Sequence, residues 1–497
     1  MSHRWRAAAA LVAVSALGAC SGGDEGTVTL ERGALERGDD EATTTRDPGE
    51  ATAPPPTTTV ATTTTTTGFT VAAPQPAGPP CPSIPAASQP DPNRPTYLMD
   101  VDVRPDEGVV EGRLTVRFTP DLPTDRLVFR LWPNGPRAAG AGALLEAGPV
   151  LLGSNVPAPT EQPDPTTLVV PLPDGLDADQ RIEATVPWTL TLPGPAKDRV
   201  ANQDGAVRLG SFFPILAWEP GVGWATEPPT AAFAEASTAP VADYSYTVNV
   251  PAGYQVLASG TLDRGRWVAT AHRDVAISAG RFTIVEGVAA APQPVKVRIG
   301  VHEGIDDDPN AYLDRVVRSL TDFGARYGAY PYESFSLAVT PGFTGGIEYP
   351  GHVMQGPGSI GRTTPHEVAH QWFYGLVGND QGRDPWLDEG LASWAEARFE
   401  GTLDAFAAKD IPGDVEGRTG QPMTFWESRQ SSYYRGVYVQ GALALGALGS
   451  PALVDCALRL YVAQQSFAIA RPDDLVGALT QVFPDAEATL ARFGALP

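Results

Sequence analysis

The chain has 497 residues, of which 42 % are hydrophobic, enough for roughly two or three domains with sizeable cores. It carries 35 Lys and Arg against 58 Asp and Glu, a formal net charge of −23, and a chain this acidic would repel phosphate backbones, which excludes nucleic acid as a partner. The 49 prolines and 52 glycines are too many for a helical bundle. Three cysteines are too few for a disulfide-dense scaffold or for a zinc site built from several thiolates.

The N-terminal segment has the composition of a secretory signal peptide. Arg4 and Arg6 precede an apolar run over 7–19, which is shorter than the about 20 residues that a membrane-spanning helix needs. The run ends in Leu17-Gly18-Ala19-Cys20, which resembles the lipobox of bacterial lipoproteins, where the cysteine receives the lipid. This resemblance predicts a lipoprotein signal peptide over 1–20. It also predicts an exported chain, held at the outer face of the bacterial cell membrane by a lipid on Cys20.

The next segment, 21–95, is rich in Thr, Pro, Gly and Ala and includes the run Thr62 to Thr67. Such a tract buries too little apolar surface to offset the cost of ordering it, so we expect a disordered stalk. Cys81 and Cys456 would form a disulfide in an oxidising compartment or remain two free thiols, and the sequence leaves both alternatives open.

Two folded regions follow the stalk. Residues 113–118 alternate between polar and apolar, as in a half-buried strand, and similar runs separated by turns predict an all-β domain over 96–290. The apolar period then changes: 310–327 has the pattern of an amphipathic helix, 335–340 reads as a strand, and helical patterns dominate from 363. The predicted fold class is therefore α+β and multidomain, with a mixed α/β unit over 291–497 that ends in helices.

Two histidines one helical turn apart are the most informative feature of the sequence. They occur in His366-Glu367-Val368-Ala369-His370, and residues four apart share one face of a helix, so both imidazoles reach a single cation. Downstream, Trp386-Leu387-Asp388-Glu389-Gly390 places a carboxylate where a second helix would supply it. Two histidines and one glutamate leave one tetrahedral position open for water, as in catalytic zinc sites. The sequence predicts one Zn²⁺ per chain, bound by His366, His370 and Glu389.

The residue types also suggest roles around that ion. Zinc lowers the pKa of its bound water to about 7 and polarises a substrate carbonyl. Glu367 would take the proton of the water and later deliver it to a leaving amine. Ligand histidines need an outer partner that fixes the tautomer, and Glu396, two helical turns after Glu389, is the candidate. The alternative for Glu396 is a solvated acid on a helix.

Four motifs in this order resemble the M1 family of zinc aminopeptidases. They are Gly345-Gly346-Ile347-Glu348-Tyr349-Pro350, His366 to Phe373, Trp386 to Gly390, and Tyr438-Val439-Gln440-Gly441-Ala442-Leu443. The resemblance implies peptide substrates, a thermolysin-like catalytic domain and an N-terminal β domain before it, which agrees with the predicted change near 290.

The resemblance also implies roles for residues outside the zinc ligands. The segment of Gly345 and Gly346 would be an edge strand that pairs with the backbone of an extended substrate. Glu348 would bind the free α-amine of the substrate, and Tyr438 would donate a hydrogen bond to the oxyanion of the tetrahedral intermediate. Tyr433 is a rival for the last role, and Tyr438 is preferred because a helical run follows it.

One departure from the family pattern keeps the function open. The family usually has Met-Glu-Asn where this chain has Ile347-Glu348-Tyr349, so the shape beside the glutamate differs. The first hypothesis is a zinc aminopeptidase acting on extracellular peptides. The alternatives are a zinc endopeptidase with the same chemistry and an inactive, surface-binding lipoprotein.

Overall fold

The computed structural model describes residues 81–153, 155–232 and 238–496. The predicted signal peptide, the lipidation site Cys20 and the stalk as far as residue 80 lie outside the described residues.

The N-terminal folded region is built from β-strands. Its strands are β1 (Thr96–Arg104), β2 (Val109–Phe118), β3 (Thr124–Arg130), β4 (Leu144–Ala147), β5 (Leu151–Leu152), β6 (Val156–Pro157), β7 (Glu161–Asp164), β8 (Thr167–Leu176), β9 (Ile182–Thr191), β10 (Val200–Gln203), β11 (Ala206–Leu209), β12 (Ile215–Leu216), β13 (Trp218–Glu219), β14 (Gly223–Trp224), β15 (Ala242–Asn249), β16 (Gln255–Ala258), β17 (Thr261–Asp263), β18 (Arg266–His272) and β19 (Ile277–Gly280), with a short helix α1 (Pro136–Gly140).

A nine-stranded sheet forms the centre of this region, in the order β17-β18-β15-β1-β2-β9-β5-β6 with β4 also on β9. Strand β1 pairs antiparallel with β2 and parallel with β15. Alternate residues of β1 are buried, so one face of the sheet covers a core whose members run from Tyr97 to Ala279. The predicted strand over 113–118 is confirmed as part of β2.

The second region combines one sheet with the remaining helices. Its strands are β20 (Phe282–Ala290), β21 (Pro294–His302), β22 (Ser334–Val339), β23 (Gly346–Ile347), β24 (His352–Gln355), β25 (Gly378–Asn379) and β26 (Ile469–Ala470). Its helices are α2 (Pro309–Tyr327), α3 (Thr363–Ala369), α4 (Trp386–Glu400), α5 (Leu403–Ala407), α6 (Met423–Trp426), α7 (Gln430–Tyr433), α8 (Gln440–Gly446), α9 (Pro451–Gln465), α10 (Pro472–Leu479) and α11 (Ala486–Arg492), and a π-helical turn, Tyr434–Val439, joins α7 to α8.

The change from the first region to the second lies earlier than the predicted boundary at 290. That position is the last residue of β20, which pairs antiparallel with β21 in the five-stranded sheet β20-β21-β22-β24-β23. Apart from Ala232, the buried members of the second core run from Ala289 to Ala495. The two regions therefore meet between β19 and β20. The α+β fold class is confirmed, with the strand-rich region first and the helices concentrated after it.

The interpretation of 21–95 as a disordered stalk does not hold for 81–95. Cys81 forms a disulfide with Cys456 of helix α9, with 6.0 Å between the Cα atoms. Ser88 adds two hydrogen bonds of 2.9 Å to α9, from its backbone N–H to the carbonyl oxygen of Ala463 and from its hydroxyl to that of Gln464. These contacts fix the segment against the second region.

Two buried arginines fasten the regions to each other through backbone carbonyls. Arg208 of β11 donates to the carbonyl oxygen of Pro341, and Arg273, just after β18, donates to those of Tyr374 and Leu376. Burial lowers the pKa of both guanidinium groups to about 10, which still leaves them charged at neutral pH. Two charged side chains thus connect the β region to the loop after β22 and to the segment that follows helix α3.

Across the described ranges, no single helix is long and apolar enough to cross a bilayer. Two consecutive stretches, Met423–Gly446 and Pro451–Gln465, reach that length and composition together, but they meet at an angle of 110°.

Candidate metal centre

Helix α3 places the two predicted histidine ligands on one face. Its residues 364–369 are buried, and the backbone N–H of His370 donates to the carbonyl oxygen of His366, one turn earlier. The two rings lie 4.7 Å apart between centroids, and their Nε2 atoms are 3.1 Å apart. The local helical spacing therefore brings both imidazole nitrogens to one point, as predicted.

Helix α4 supplies the carboxylate. Glu389 lies in its first turn, and its Oε2 is 3.1 Å from His366 Nε2 and 3.4 Å from His370 Nε2. Two glycines allow α4 to approach α8 closely, because a Cβ on Gly441 would lie 2.8 Å from the Cα of Gly390. The tight packing of this helix pair sets the depth at which Glu389 enters the site.

These three donors fit a divalent cation such as zinc. His366, His370 and Glu389 are buried, and the one ligand atom that each offers lies within 4.8 Å of the other two. Among the described residues, a second group of three such side chains, Glu348, His370 and Asp388, shares His370 with the first and contains one imidazole in place of two. Two imidazoles with one carboxylate are the donor set of catalytic zinc sites.

The outer nitrogens of both histidines face acceptors. His370 Nδ1 lies 2.5 Å from Oδ1 of Asp388 and 3.1 Å from the carbonyl oxygen of Phe373, and His366 Nδ1 lies 3.3 Å from Oε2 of Glu396. With acceptors on this side, each neutral ring carries its proton on Nδ1 and keeps the Nε2 lone pair for a cation. The structure thus places Glu396 beside His366, one of the two histidines predicted to bind the metal.

Asp388 is a site residue that the sequence analysis left without a role. Its Oδ2 accepts a hydrogen bond of 2.7 Å from the side-chain amide of Gln381, while Oδ1 faces His370. The pattern contained a hint, because Asp388 immediately precedes Glu389 in the motif of the third ligand. Its direction toward His370 depends on how α4 crosses α3, which spacing along one helix does not reveal.

The electrostatics of the cluster favour a positive charge. Burial lowers the pKa of His370, but Glu348 and Asp388 outweigh it, and the pKa lies above its ordinary value. Burial likewise opposes ionisation of Glu389, yet hydrogen bonds to the two histidines hold its pKa below the ordinary value. A buried group of carboxylates around two imidazoles is the environment that attracts and retains a cation.

Glu367 lies against the predicted edge strand. The strand Gly346–Ile347 pairs with β24 and forms one edge of the five-stranded sheet. A Cβ built on Gly346 would lie 2.4 Å from Cγ and 2.5 Å from Cδ of Glu367, so the backbone here approaches the carboxyl group directly. Gly345 has φ +86°, the left-handed region that favours glycine, and turns the chain into this strand.

Glu348 follows this edge strand and is only 5 % exposed. One of its carboxylate oxygens lies within 4.8 Å of a nitrogen of His370. The structure therefore brings the predicted amine-binding acid to the same cluster as the predicted metal ligands.

Tyr438 lies in the site and Tyr433 lies behind it. The hydroxyl of Tyr438 donates to Oε1 of Glu389, and its ring stacks on His366 at 5.5 Å with an interplanar angle of 12°. The ring of Tyr433 packs edge-on against Tyr438 at 5.6 Å and against Trp426 at the same distance. The π-helical turn that contains Tyr438 is a distortion common at functional sites.

Comparison with protein families finds one matching model, the peptidase family M1 domain, over residues 354–415. The match includes helices α3, α4 and α5. The edge strand, Glu348 and Tyr438 lie outside it.

Two relatives align with about a quarter of this chain. Aminopeptidase M1-B of Oryza sativa subsp. japonica is 31 % identical over 137 residues, and aminopeptidase N of Rattus norvegicus is 31 % identical over 134 residues. These alignments cover 24 % and 23 % of this chain, and they span only 15 % and 14 % of the length of the two relatives.

Solved structures match most of the chain. An M1 zinc metallopeptidase from Deinococcus radiodurans superposes with a TM-score of 0.59 at 20 % identity, covering 83 % of this chain and 96 % of that one. A mutant M1 zinc metallopeptidase from the same organism, bound to the substrate Tyr-Ser-Ala, gives 0.61 at 21 % identity, covering 82 % and 95 %. At this level of identity the likeness establishes the fold. The predicted resemblance to the M1 family is confirmed by the matched domain and by this fold.

Proposed function

This chain contains a peptidase family M1 domain on the fold of M1 zinc metallopeptidases, and from that premise we propose that it is a zinc-dependent aminopeptidase. The observation that carries the proposal is the convergence of two imidazole nitrogens and one carboxylate oxygen beside Glu367 and Glu348. Hydrolysis at a peptide N-terminus needs a cation, a proton acceptor and an anchor for the amine. In this proposal the two histidines and Glu389 bind the cation, Glu367 is the proton acceptor and Glu348 is the anchor for the amine.

The substrate binds, in this proposal, along the edge strand at Gly346, with its free α-ammonium group held by the Glu348 carboxylate. A charge-assisted contact of that kind places the first peptide bond next to Glu367. When bound, zinc supplies Lewis acidity, which polarises the carbonyl and makes water a stronger acid.

Proton transfer is the work of Glu367. Its carboxylate takes a proton from the attacking water and returns it to the amine that leaves as the peptide bond breaks. The Tyr438 hydroxyl donates to the carbonyl oxygen as negative charge develops on it. The close approach of Gly346 limits the positions open to the Glu367 carboxyl group, so the base is held at the edge where the substrate would lie.

The proposal includes export and a lipid anchor on Cys20, which would present the enzyme to extracellular peptides. The disulfide between Cys81 and Cys456 supports export, since such bonds persist in oxidising compartments. A Cys20→Ser chain expressed in bacteria should leave the membrane fraction. Retention of that variant in the membrane would contradict the anchor without touching the proposed chemistry.

The catalytic proposal is tested with the full chain and leucyl or alanyl peptides. Removing the metal with a chelator should abolish hydrolysis, and one equivalent of zinc should restore it. Glu367→Gln should bind the same amount of zinc while kcat falls by about 10²–10⁴. Glu416→Gln, at an exposed acid, is the matched control and should behave as the parent. A protein that binds no zinc, or an active Glu367→Gln variant, would contradict the proposal.

A further inference from the structure

An arginine outside the predicted motifs reaches the outer partner of a ligand histidine. Arg362 is the residue before helix α3, and its Nε donates to Oε1 of Glu396. The Glu396 side chain is only 7 % exposed, so the ion pair is largely shielded from water. A buried carboxylate without such a partner would be costly, and Arg362 supplies the compensating charge.

The same carboxylate continues toward the metal centre. While Oε1 of Glu396 accepts from Arg362, its Oε2 lies 3.3 Å from His366 Nδ1. When His366 binds a cation through Nε2, its proton is on Nδ1, the ring nitrogen beside this oxygen. Glu396 thus connects Arg362, at the start of α3, to His366 of the predicted ligand set.

Arg362 is itself held in place. Its guanidinium carbon lies 4.7 Å over the ring of Phe406, a buried residue of helix α5. Stacking on an aromatic face and a directed N–H bond suit the planar guanidinium, and a lysine ammonium would reproduce the charge but not this geometry. The arginine therefore restricts the orientation of Glu396 as well as neutralising it.

The second ligand histidine is supported differently. His370 faces Asp388, which receives its hydrogen bond from the neutral amide of Gln381. Of the two histidines, only His366 faces a carboxylate, that of Glu396, that is itself paired with a cationic side chain. Loss of the Arg362 charge should consequently act on one ligand.

We propose that Arg362 is a positioning residue for zinc binding, acting through Glu396 on His366. The inference rests on the proposed function in so far as zinc is the ion bound at this centre. In this proposal Arg362, the residue before helix α3, keeps the His366 ring oriented for zinc binding.

The test measures zinc dissociation from the full chain into an excess of a chromogenic chelator. Arg362→Met should release zinc about tenfold faster, the lower end of what loss of an outer partner costs in affinity. Arg362→Lys should recover only part of the difference. Arg398→Met is the matched control. Arg398 lies in helix α4 and binds a different carboxylate, that of Asp455 in helix α9, so this variant should release zinc at the parental rate.

A double-mutant cycle separates positioning from general loosening of the fold. If Arg362 acts through Glu396, adding Arg362→Met to Glu396→Gln should change the zinc release rate by less than about twofold. Thermal melting of the zinc-free variants reports stability separately.

Independent, multiplicative effects of the two substitutions, or a parental release rate in Arg362→Met, would overturn the proposal. A parent chain that binds no zinc would instead refute the proposed function, so the two failures are distinguishable.

Discussion

Replacing Tyr438 by Phe removes one hydroxyl and leaves the packing of the site in place. The Phe ring would retain the stacking on His366 at 5.5 Å, so no cavity forms and the loss is confined to the hydrogen-bond donor at Oε1 of Glu389. Deleting one donor to a developing oxyanion costs about 10²–10³ in kcat, or about 3–4 kcal/mol of transition-state stabilisation. Because the donor acts on charge that appears only in the transition state, KM should change little.

The assay is steady-state hydrolysis of a leucyl peptide, with zinc content and melting temperature measured on the same samples. Tyr433→Phe is the control, since that ring lies behind Tyr438 and should lose less than about tenfold in kcat. A Tyr438→Phe enzyme with near-parental kcat would refute the assignment of Tyr438 as the oxyanion donor. The refutation would be strongest if Tyr433→Phe were impaired at the same time.

Three other predictions concern metal binding and stability. Asp388→Ala should weaken zinc binding by about 10–100-fold, measured by chelator competition, because His370 loses the carboxylate at Nδ1 and keeps only the carbonyl oxygen of Phe373 there. Cys81→Ser or Cys456→Ser should lower the free energy of unfolding in urea by about 2–5 kcal/mol, and an unchanged midpoint would show that the bond adds nothing. Burial lowers the pKa of His352 to about 3 in the folded chain, against an ordinary value of 6.5. Below pH 6.5 the unfolded chain therefore binds a proton at His352 that the folded chain does not bind. The stability present above pH 6.5 is lost as the pH falls toward 3. When the pH is lowered from 7 to 5, the free energy of unfolding in urea should therefore fall by about 2 kcal/mol less in His352→Gln than in the parent. Equal decreases in the two proteins would contradict a buried neutral imidazole.

The convergence of His366, His370 and Glu389 could be predicted because their arrangement is mostly local. His366 and His370 are one turn apart on any helix, and the motif of Glu389 has a carboxylate within reach of a neighbouring helix. The predicted helix over 310–327 is confirmed as α2, Pro309–Tyr327, for the same reason: its apolar period, the proline in its first turn and Gly328 after its end are all local features.

Features set by packing could not be read in the same way. The direction of Asp388 depends on how α4 crosses α3, and that of Arg362 on its contacts with Glu396 of α4 and Phe406 of α5, which no spacing within one element specifies. The pairing of Cys81 with Cys456 depends on the path of 81–95 over helix α9. The sheet change between β19 and β20 could not be read from the sequence, because the local pattern of a strand does not say which sheet the strand joins.

The choice between Tyr438 and Tyr433 depends both on local sequence and on packing. A helical continuation after Tyr438 favoured it from the sequence, yet both tyrosines are buried in the same short stretch. The three-dimensional contacts distinguish them, because Tyr438 lies in the π-helical turn and stacks on His366, whereas Tyr433 packs against Tyr438.

The most direct test of the proposed aminopeptidase activity is kcat/KM of the zinc-loaded full chain on one leucyl peptide with a free and with an acetylated N-terminus. If Glu348 binds the substrate ammonium, the free peptide should be preferred by at least about tenfold, since hydrogen bonds to charged groups contribute about 1.5–3 kcal/mol. Equal cleavage of both peptides would contradict the account and indicate a zinc endopeptidase in which Glu348 does not select amines.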